Sequence, residues 1–267
     1  MKGIDDRTEK ALGSDVMEKL RTLHFCIVGC GGTGANFAEI LVRSGATRLN
    51  LIDGACVKES ELNRVCSYYP DDVGTPKVEA LKRRLLSIRP DADVTTLRDS
   101  FRTREYILDD YSIGQEVRNA AYNADVVFIA TDSNSSRLAI EELCRSKTER
   151  MYLSCGVLVD REEGEYFFEC NWSPKTPEER HDEEGYGPEN ASYAAIVLEA
   201  TSIAFSMLLS HLSCPDSNFR SFRRRYDGHF RPVETLVSGS SSDNRPSRPG
   251  DSSDAGHGLQ ASPEEWR

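Results

Sequence analysis

The chain has 267 residues, 38% of them hydrophobic, with 44 acids against 33 lysines and arginines and a formal net charge of −11. That length suits one large α/β domain, or one with a small appendage. The acidic balance argues against a nucleic-acid partner or a membrane-surface role. No stretch approaches 18 consecutive apolar residues, so no membrane-crossing helix is expected. The N-terminus is polar and acidic without a secretory apolar segment, which makes the protein cytoplasmic by expectation.

Residues 1–23 form a charged arm, predicted helical from Ser14 with Met17, Leu20 and Leu23 on one face. The apolar run His24–Val28 predicts a buried strand. Gly29-Cys30-Gly31-Gly32-Thr33-Gly34 follows at once and satisfies G-x-G-x-x-G. Phe37, Ile40 and Leu41 then recur at helical spacing up to Ser44-Gly45, and a second strand, 49–52, stops at Asp53. Strand, glycine turn, helix, strand and acid together supply the context that makes such a motif a nucleotide site. Gly29 allows the tight turn, Gly31 lets backbone approach a phosphate, and Gly34 lets the helix pack closely. The helix N-terminus offers free N–H groups to an anion. Asp53 can accept hydrogen bonds from ribose hydroxyls.

Residues 54–74 are too long for a simple connector, and Arg64 and Lys77 bracket a functional loop there. Pro76 opens a helix with Val78, Leu81, Leu85 and Ile88 on one face, and Pro90 stops it. A weak strand at 94–97 and a short helix with a loop within 99–123 come next. The run 124–130 is a central strand ending at Thr131-Asp132, and Ser133-Asn134-Ser135-Ser136 caps the helix beyond. Residues 151–155 and 166–170 read as strands, the second an antiparallel extension. A mobile, proline-containing loop at 171–190 precedes a buried helix at 191–212.

Residues 217–236 read as a hairpin around a two-residue Asp227-Gly228 turn. Arg220, Arg223, Arg224, Arg225 and Arg231 make it basic, either as a protected edge or as a docking surface for an acidic partner. The Ser-, Gly-, Asp- and Pro-rich tail is expected to be disordered. The resulting fold class is α/β: a Rossmann-like doubly wound sheet, mostly parallel, with an antiparallel extension and a C-terminal hairpin. The expected division is an arm at 1–23, a nucleotide-binding domain at 24–214, the hairpin at 215–237 and the tail at 238–267.

Eight cysteines are present and none forms C-x-x-C, so a structural zinc is not expected. Their irregular spacing in a chain of this size also argues against a disulfide scaffold.

Beyond the glycine turn and Asp53 stand Ser60-Glu61-Leu62-Asn63-Arg64, then Gly74-Thr75-Pro76-Lys77-Val78-Glu79-Ala80, and later Thr131-Asp132. With these four spaced motifs the chain resembles the ThiF/MoeB/HesA family of ubiquitin-activating-enzyme-like adenylyltransferases. The resemblance runs over roughly residues 5–210. It implies an ATP-dependent enzyme that activates the C-terminal carboxylate of a ubiquitin-like or sulfur-carrier protein ending in Gly-Gly. Gly29, Gly31, Gly32, Gly34 and Asp53 would hold the nucleotide, Arg64 and Lys77 would contact its phosphates, and Asp132 would hold Mg²⁺. Arg7 matches a family arginine that reaches across a homodimer to the phosphates. The attacking carboxylate is already charged at neutral pH, so positioning and charge stabilisation suffice without a general base.

Several residues depart from the family pattern. Glu61 replaces the asparagine of S-N-L-N-R-Q, Val65 replaces its glutamine, and Ser133 replaces the asparagine of T-D-N. No cysteine lies within 171–190, where relatives that form a thioester carry one, and Cys170 reads as a buried strand thiol. These departures leave open a non-catalytic subunit of a heterodimeric activating complex. A NAD(P)-dependent oxidoreductase accounts for the glycine motif alone.

Overall fold

Strands rich in apolar residues at consecutive positions build sheets covered on both faces. In the computed structural model, which describes residues 3–99, 111–131, 134–145, 151–161, 164–172, 192–214, 216–217 and 219–238, eight strands form one sheet, buried in this way at its centre and exposed along its edge strand. They are β1 (His24–Val28), β2 (Arg48–Ile52), β3 (Asp93–Leu97), β4 (Val126–Ile129), β5 (Met151–Asp160), β6 (Glu165–Trp172), β7 (Ser221–Tyr226) and β8 (Pro232–Ser238). Their order is β3-β2-β1-β4-β5-β6-β7-β8. Pairing is parallel from β3 through β5. From β5 onward it is antiparallel.

Alternation along the strands divides the core in two. Phe25 and Ile27 of β1, Leu49 and Leu51 of β2, and Phe128 of β4 point to one face. There they meet α2 (Ser14–Thr22), α3 (Gly32–Arg43), α4 (Lys77–Ile88) and α7 (Ala194–Ser213). Cys26 and Val28 of β1 and Val127 and Ile129 of β4 point the other way, towards α5 (Tyr111–Tyr122) and α6 (Asn134–Arg145). Phe37 of α3 stacks on Phe128 with ring centroids 3.9 Å apart, fixing that helix over the sheet centre.

The arm holds two helices, because Gly13, at φ 82°, separates α1 (Asp6–Leu12) from α2. Asp5, just before α1, pairs with Arg89 at the end of α4 and with Arg21 of α2. Residues 54–76 contain two short 3₁₀ turns, Glu59–Glu61 and Pro70–Asp72. Helix α7 has 20 residues, long and apolar enough by length and composition to cross a membrane, although no run of 18 apolar residues is expected from the sequence. It packs against α3, β5 and β6 and buries Ile196, Val197, Ala200, Ala204, Met207 and Leu208, as a core helix does.

The hairpin corrects the sequence reading. Five residues, 227–231, separate β7 from β8, in place of a two-residue turn. The Asp227 carboxylate accepts the amides of His229 and Arg231, and the left-handed residue is Phe230 at φ 60° rather than Gly228. Aspartate side chains that bond their own backbone favour such longer loops. The expected loop at 171–190 lies almost wholly, and the expected tail from 239 onward entirely, outside the described residues.

Candidate active site

The strand order reverses around β1, which lies between β2 and β4, and open α/β sheets bind ligands at the carboxyl ends of strands beside such a switch. The glycine turn emerges there. Gly29 sits at φ 93°, and a Cβ on it would lie 2.6 Å from the Ala130 carbonyl oxygen at the end of β4. A Cβ on Gly34 would lie 1.8 Å from the Gly29 carbonyl oxygen, so the first turn of α3 packs directly on the glycine turn. Gly31 differs: no atom lies within 4 Å of where its Cβ would be. That open position, beside the N-terminal amides of α3, is the cradle an anion needs.

Asp53, at the end of β2, closes the turn from below. Its Oδ2 accepts the Cys30 amide at 2.8 Å and its Oδ1 accepts the Ala55 amide at 2.8 Å. Cys30 is buried beneath it. Burial, with the Asp53 charge adding, pushes its thiol well above the ordinary range. Tyr68, also buried, donates its hydroxyl to the Cys30 carbonyl at 2.7 Å and so ties residues 65–68 to the turn.

Arg64 arrives from the first 3₁₀ turn. Its Nη1 donates to the Ser60 carbonyl at 2.8 Å and to Asn63 Oδ1 at 3.0 Å. Its Nε lies 3.5 Å from the position a Cβ on Gly32 would take, over the start of α3. Buried Asn36, one turn into α3, fixes this segment from both sides. Its Nδ2 donates to the Arg64 carbonyl at 2.9 Å, and its Oδ1 accepts the Cys66 amide at 3.0 Å.

Lys77 begins α4, and its Nζ lies 2.5 Å from Glu61 Oε1, with side chains 12% and 6% exposed. The other Glu61 oxygen accepts the Lys58 amide at 2.9 Å and caps the 3₁₀ turn. Burial opposes the charge on Lys77. The carboxylates of Asp53 and Glu61 outweigh it and hold the ammonium above the ordinary lysine value.

The structure therefore brings Gly29, Gly31, Gly32, Gly34, Asp53, Arg64 and Lys77 to one end of the sheet. Arg7 lies exposed on α1. Asp132, the expected Mg²⁺ ligand, lies outside the described residues, although β4 leads to it. Among the described residues no group of three or more His, Cys, Asp or Glu side chains is placed to hold a metal ion. Sequence reading missed Asn36 and Tyr68, and it assigned Glu61 no partner. The signals were an asparagine inside the apolar stripe of α3 and a tyrosine flanking an otherwise polar loop.

The thiols agree with the sequence expectation. Cys155 and Cys170 face each other across β5 and β6, with sulfurs 3.4 Å apart, and both are buried. Burial, then the neighbouring Cys155, raises the Cys170 thiol well above its ordinary range.

Known proteins resemble part of this sequence, and solved structures resemble its fold. A yeast tRNA threonylcarbamoyladenosine dehydratase 2 is 39% identical over 88 residues, which is 33% of this chain and 20% of that protein. The Bacillus subtilis tRNA threonylcarbamoyladenosine dehydratase is 29% identical over 152 residues, 56% of this chain and 55% of that protein. Ubiquitin-like modifier-activating enzyme 5 of Gallus gallus is 33% identical over 147 residues, 52% of this chain and 35% of that protein. The chain thus spans about half or less of the length of these curated relatives. Among solved structures, Escherichia coli MccB with ATP superposes with a TM-score of 0.64 at 19% identity, covering 91% of this chain and 74% of that one. At such identity the likeness speaks for the fold. The model of the ThiF family matches residues 6–227, from α1 through the far end of β7, and the chain belongs to that family.

Proposed function

We propose that the protein is an ATP-dependent adenylyltransferase that activates a C-terminal carboxylate as an acyl-adenylate. The observation that carries this reading is the convergence of Arg64 and Lys77 on a glycine turn whose Gly31 face is open. A dinucleotide-binding dehydrogenase needs the turn and the acid at the end of β2. It has no use for two cations brought in by residues 59–77. Phosphoryl chemistry does, because charge develops on phosphate oxygens and pyrophosphate leaves.

In the reaction, a substrate carboxylate oxygen forms a bond to the α-phosphorus of ATP. The bond from that phosphorus to the bridging oxygen breaks, and pyrophosphate departs with its electron pair. No proton moves. Arg64 and Lys77 orient and neutralise the phosphates, and Asp53 holds the turn against the ribose. The nucleotide brings Mg²⁺, for which Asp132 is the proposed ligand, since Mg²⁺ keeps one or two carboxylates besides phosphate and water oxygens. The substrate is a ubiquitin-like or sulfur-carrier protein ending in Gly-Gly, and the working unit is a homodimer in which Arg7 reaches the partner's site. The relatives named as ubiquitin-like modifier-activating enzymes support the choice of a ubiquitin-like substrate.

A second substrate class has its own support: two relatives are named as dehydratases of a tRNA nucleoside that carries a threonyl carboxylate. Removing water from such an acid needs the same activated oxygen. One assay separates the two. ATP–pyrophosphate exchange is measured with a Gly-Gly carrier, with tRNA, and with neither. Carrier-dependent exchange is expected. Exchange that depends on tRNA alone would move the assignment to the second class. Absence of exchange together with tighter binding of NAD than of ATP, by calorimetry, would overturn adenylation altogether.

A further inference from the structure

Of the two cations at the turn, Lys77 is already engaged. Its Nζ rests 2.5 Å from Glu61 Oε1, and both side chains are almost wholly removed from water. Glu61 is in turn held by the Lys58 amide, so it cannot swing away without uncapping the 3₁₀ turn, and its own carbonyl accepts the Arg64 amide at 3.1 Å. Asp53 adds a second carboxylate that Lys77 feels. The Lys77 ammonium is therefore already offset by carboxylates before any phosphate arrives, whereas the Arg64 side chain is held only by the Ser60 carbonyl and Asn63 Oδ1.

Resting on the adenylation reading, we propose that Glu61 sets the nucleotide affinity of the site by competing with phosphate for the Lys77 ammonium. ATP binds by taking Lys77 from Glu61, so part of the phosphate–lysine attraction is spent on breaking an existing pair. The remaining acid then lies close to the phosphates, a repulsion that falls hardest on nucleotide without its metal. Glu61 thereby favours metal-complexed ATP over free ATP. This gives a role to the residue at which the chain departs from its family's asparagine.

The test compares wild type with Glu61→Gln, whose amide oxygen can still accept the Lys58 amide and keep the turn capped. Calorimetric titration with ATP is run with Mg²⁺ and with EDTA. Glu61→Gln is expected to bind MgATP about tenfold more tightly, the change that 1.4 kcal/mol produces, with a larger gain for ATP in EDTA. Glu61→Asn repeats the neutralisation with a shorter side chain and should move affinity the same way. In a Lys77→Met background the Glu61→Gln gain with MgATP should shrink to the part that comes from relieved repulsion, because the contested ammonium is gone. A purely structural role for Glu61 would weaken binding in both backgrounds alike. Unchanged or weaker ATP binding by Glu61→Gln and Glu61→Asn, with wild type still binding ATP, overturns the competition and leaves adenylation standing. Failure of every form to bind ATP removes both.

Discussion

Gly31 and Gly34 share one motif but answer to different neighbours, and substitution should separate them. Gly34→Ala forces a Cβ to within 1.8 Å of the Gly29 carbonyl oxygen, a backbone atom that cannot rotate aside. Overpacking of that kind costs about 1–3 kcal/mol, so denaturant unfolding should show clear destabilisation. Gly31→Ala meets no atom within 4 Å, so its stability should stay within about 0.5 kcal/mol of wild type. Its ATP affinity should nevertheless fall, because the methyl occupies the phosphate cradle. Equal destabilisation by the two variants would refute this division of roles. Asn36→Ala leaves the Cys66 amide and the Arg64 carbonyl without their side-chain partner. A lost buried bond of this sort costs about 1–3 kcal/mol, and a loosened Arg64 should also raise the KM for ATP in pyrophosphate exchange. A KM unchanged from wild type would make Asn36 a packing residue only. The glycine turn was legible from strand and helix patterning, whereas Arg64 and Lys77 were legible through the family motifs around them. Asn36, Tyr68 and the Glu61–Lys77 pair were not, because each works through a partner that only the folded chain brings near.

At the scale of elements, the strands and helices around the glycine turn follow their apolar periodicity, and the antiparallel extension at β6 was readable from its β-prone run. The break between α1 and α2 and the five-residue loop at 227–231 were not. One depends on a left-handed glycine and the other on an aspartate bonding its own backbone. Nor did the sequence show how α7 is held. His211 of α7 stacks on Trp172 of β6 with ring centroids 3.9 Å apart, and it contacts the Phe219 carbonyl oxygen at 3.0 Å. Burial lowers the His211 imidazole below its ordinary 6.5, a shift that the Phe219 carbonyl opposes and Arg220 reinforces. A lowered folded pKa means that the neutral form stabilises the fold, and this contribution is lost as pH falls from 6.5 through the folded value. Urea unfolding from pH 7.5 downward should therefore show stability declining across that window, and His211→Gln should flatten the decline. An unchanged slope in the variant would show that another group titrates there. A separate loss should follow at lower pH. Asp5 sits below its ordinary 3.8 and Glu39 below its ordinary 4.5 despite burial, which alone would raise both. Arg89 and Arg21 hold Asp5 down, and Ser67, Arg43 and Arg84 hold Glu39 down. Their stabilisation is complete above those ordinary values and disappears as pH falls through the folded ones.

Over the whole molecule, the fold sorts its eight thiols by access. Cys26, Cys30, Cys144, Cys155 and Cys170 are buried, Cys56 is partly exposed, and only Cys66 and Cys214 are exposed. A thiol that accepts an acyl group from an adenylate must be reachable and partly ionised. Cys170, the cysteine nearest the acidic segment 171–190, meets neither condition. It is wholly buried, its thiol is raised, and its sulfur lies against Cys155 and the Ala200 carbonyl. Alkylation of the native protein by iodoacetamide should accordingly mark Cys66 and Cys214 and spare the five buried thiols, as read by peptide mass spectrometry. Fast labelling of Cys170 would contradict its packing. For the reaction, we predict that activity stops at the acyl-adenylate on this chain. Incubation with carrier and ATP, followed by a non-reducing gel, should show no conjugate that thiol removes. Cys170→Ala should retain exchange within about twofold, since a surface-remote thiol that touches no substrate contributes nothing to the chemical step. A thiol-sensitive conjugate absent from Cys170→Ala would require β5 and β6 to part during turnover. One absent from Cys66→Ala would instead put the acceptor two residues beyond Arg64, and either result would end the prediction.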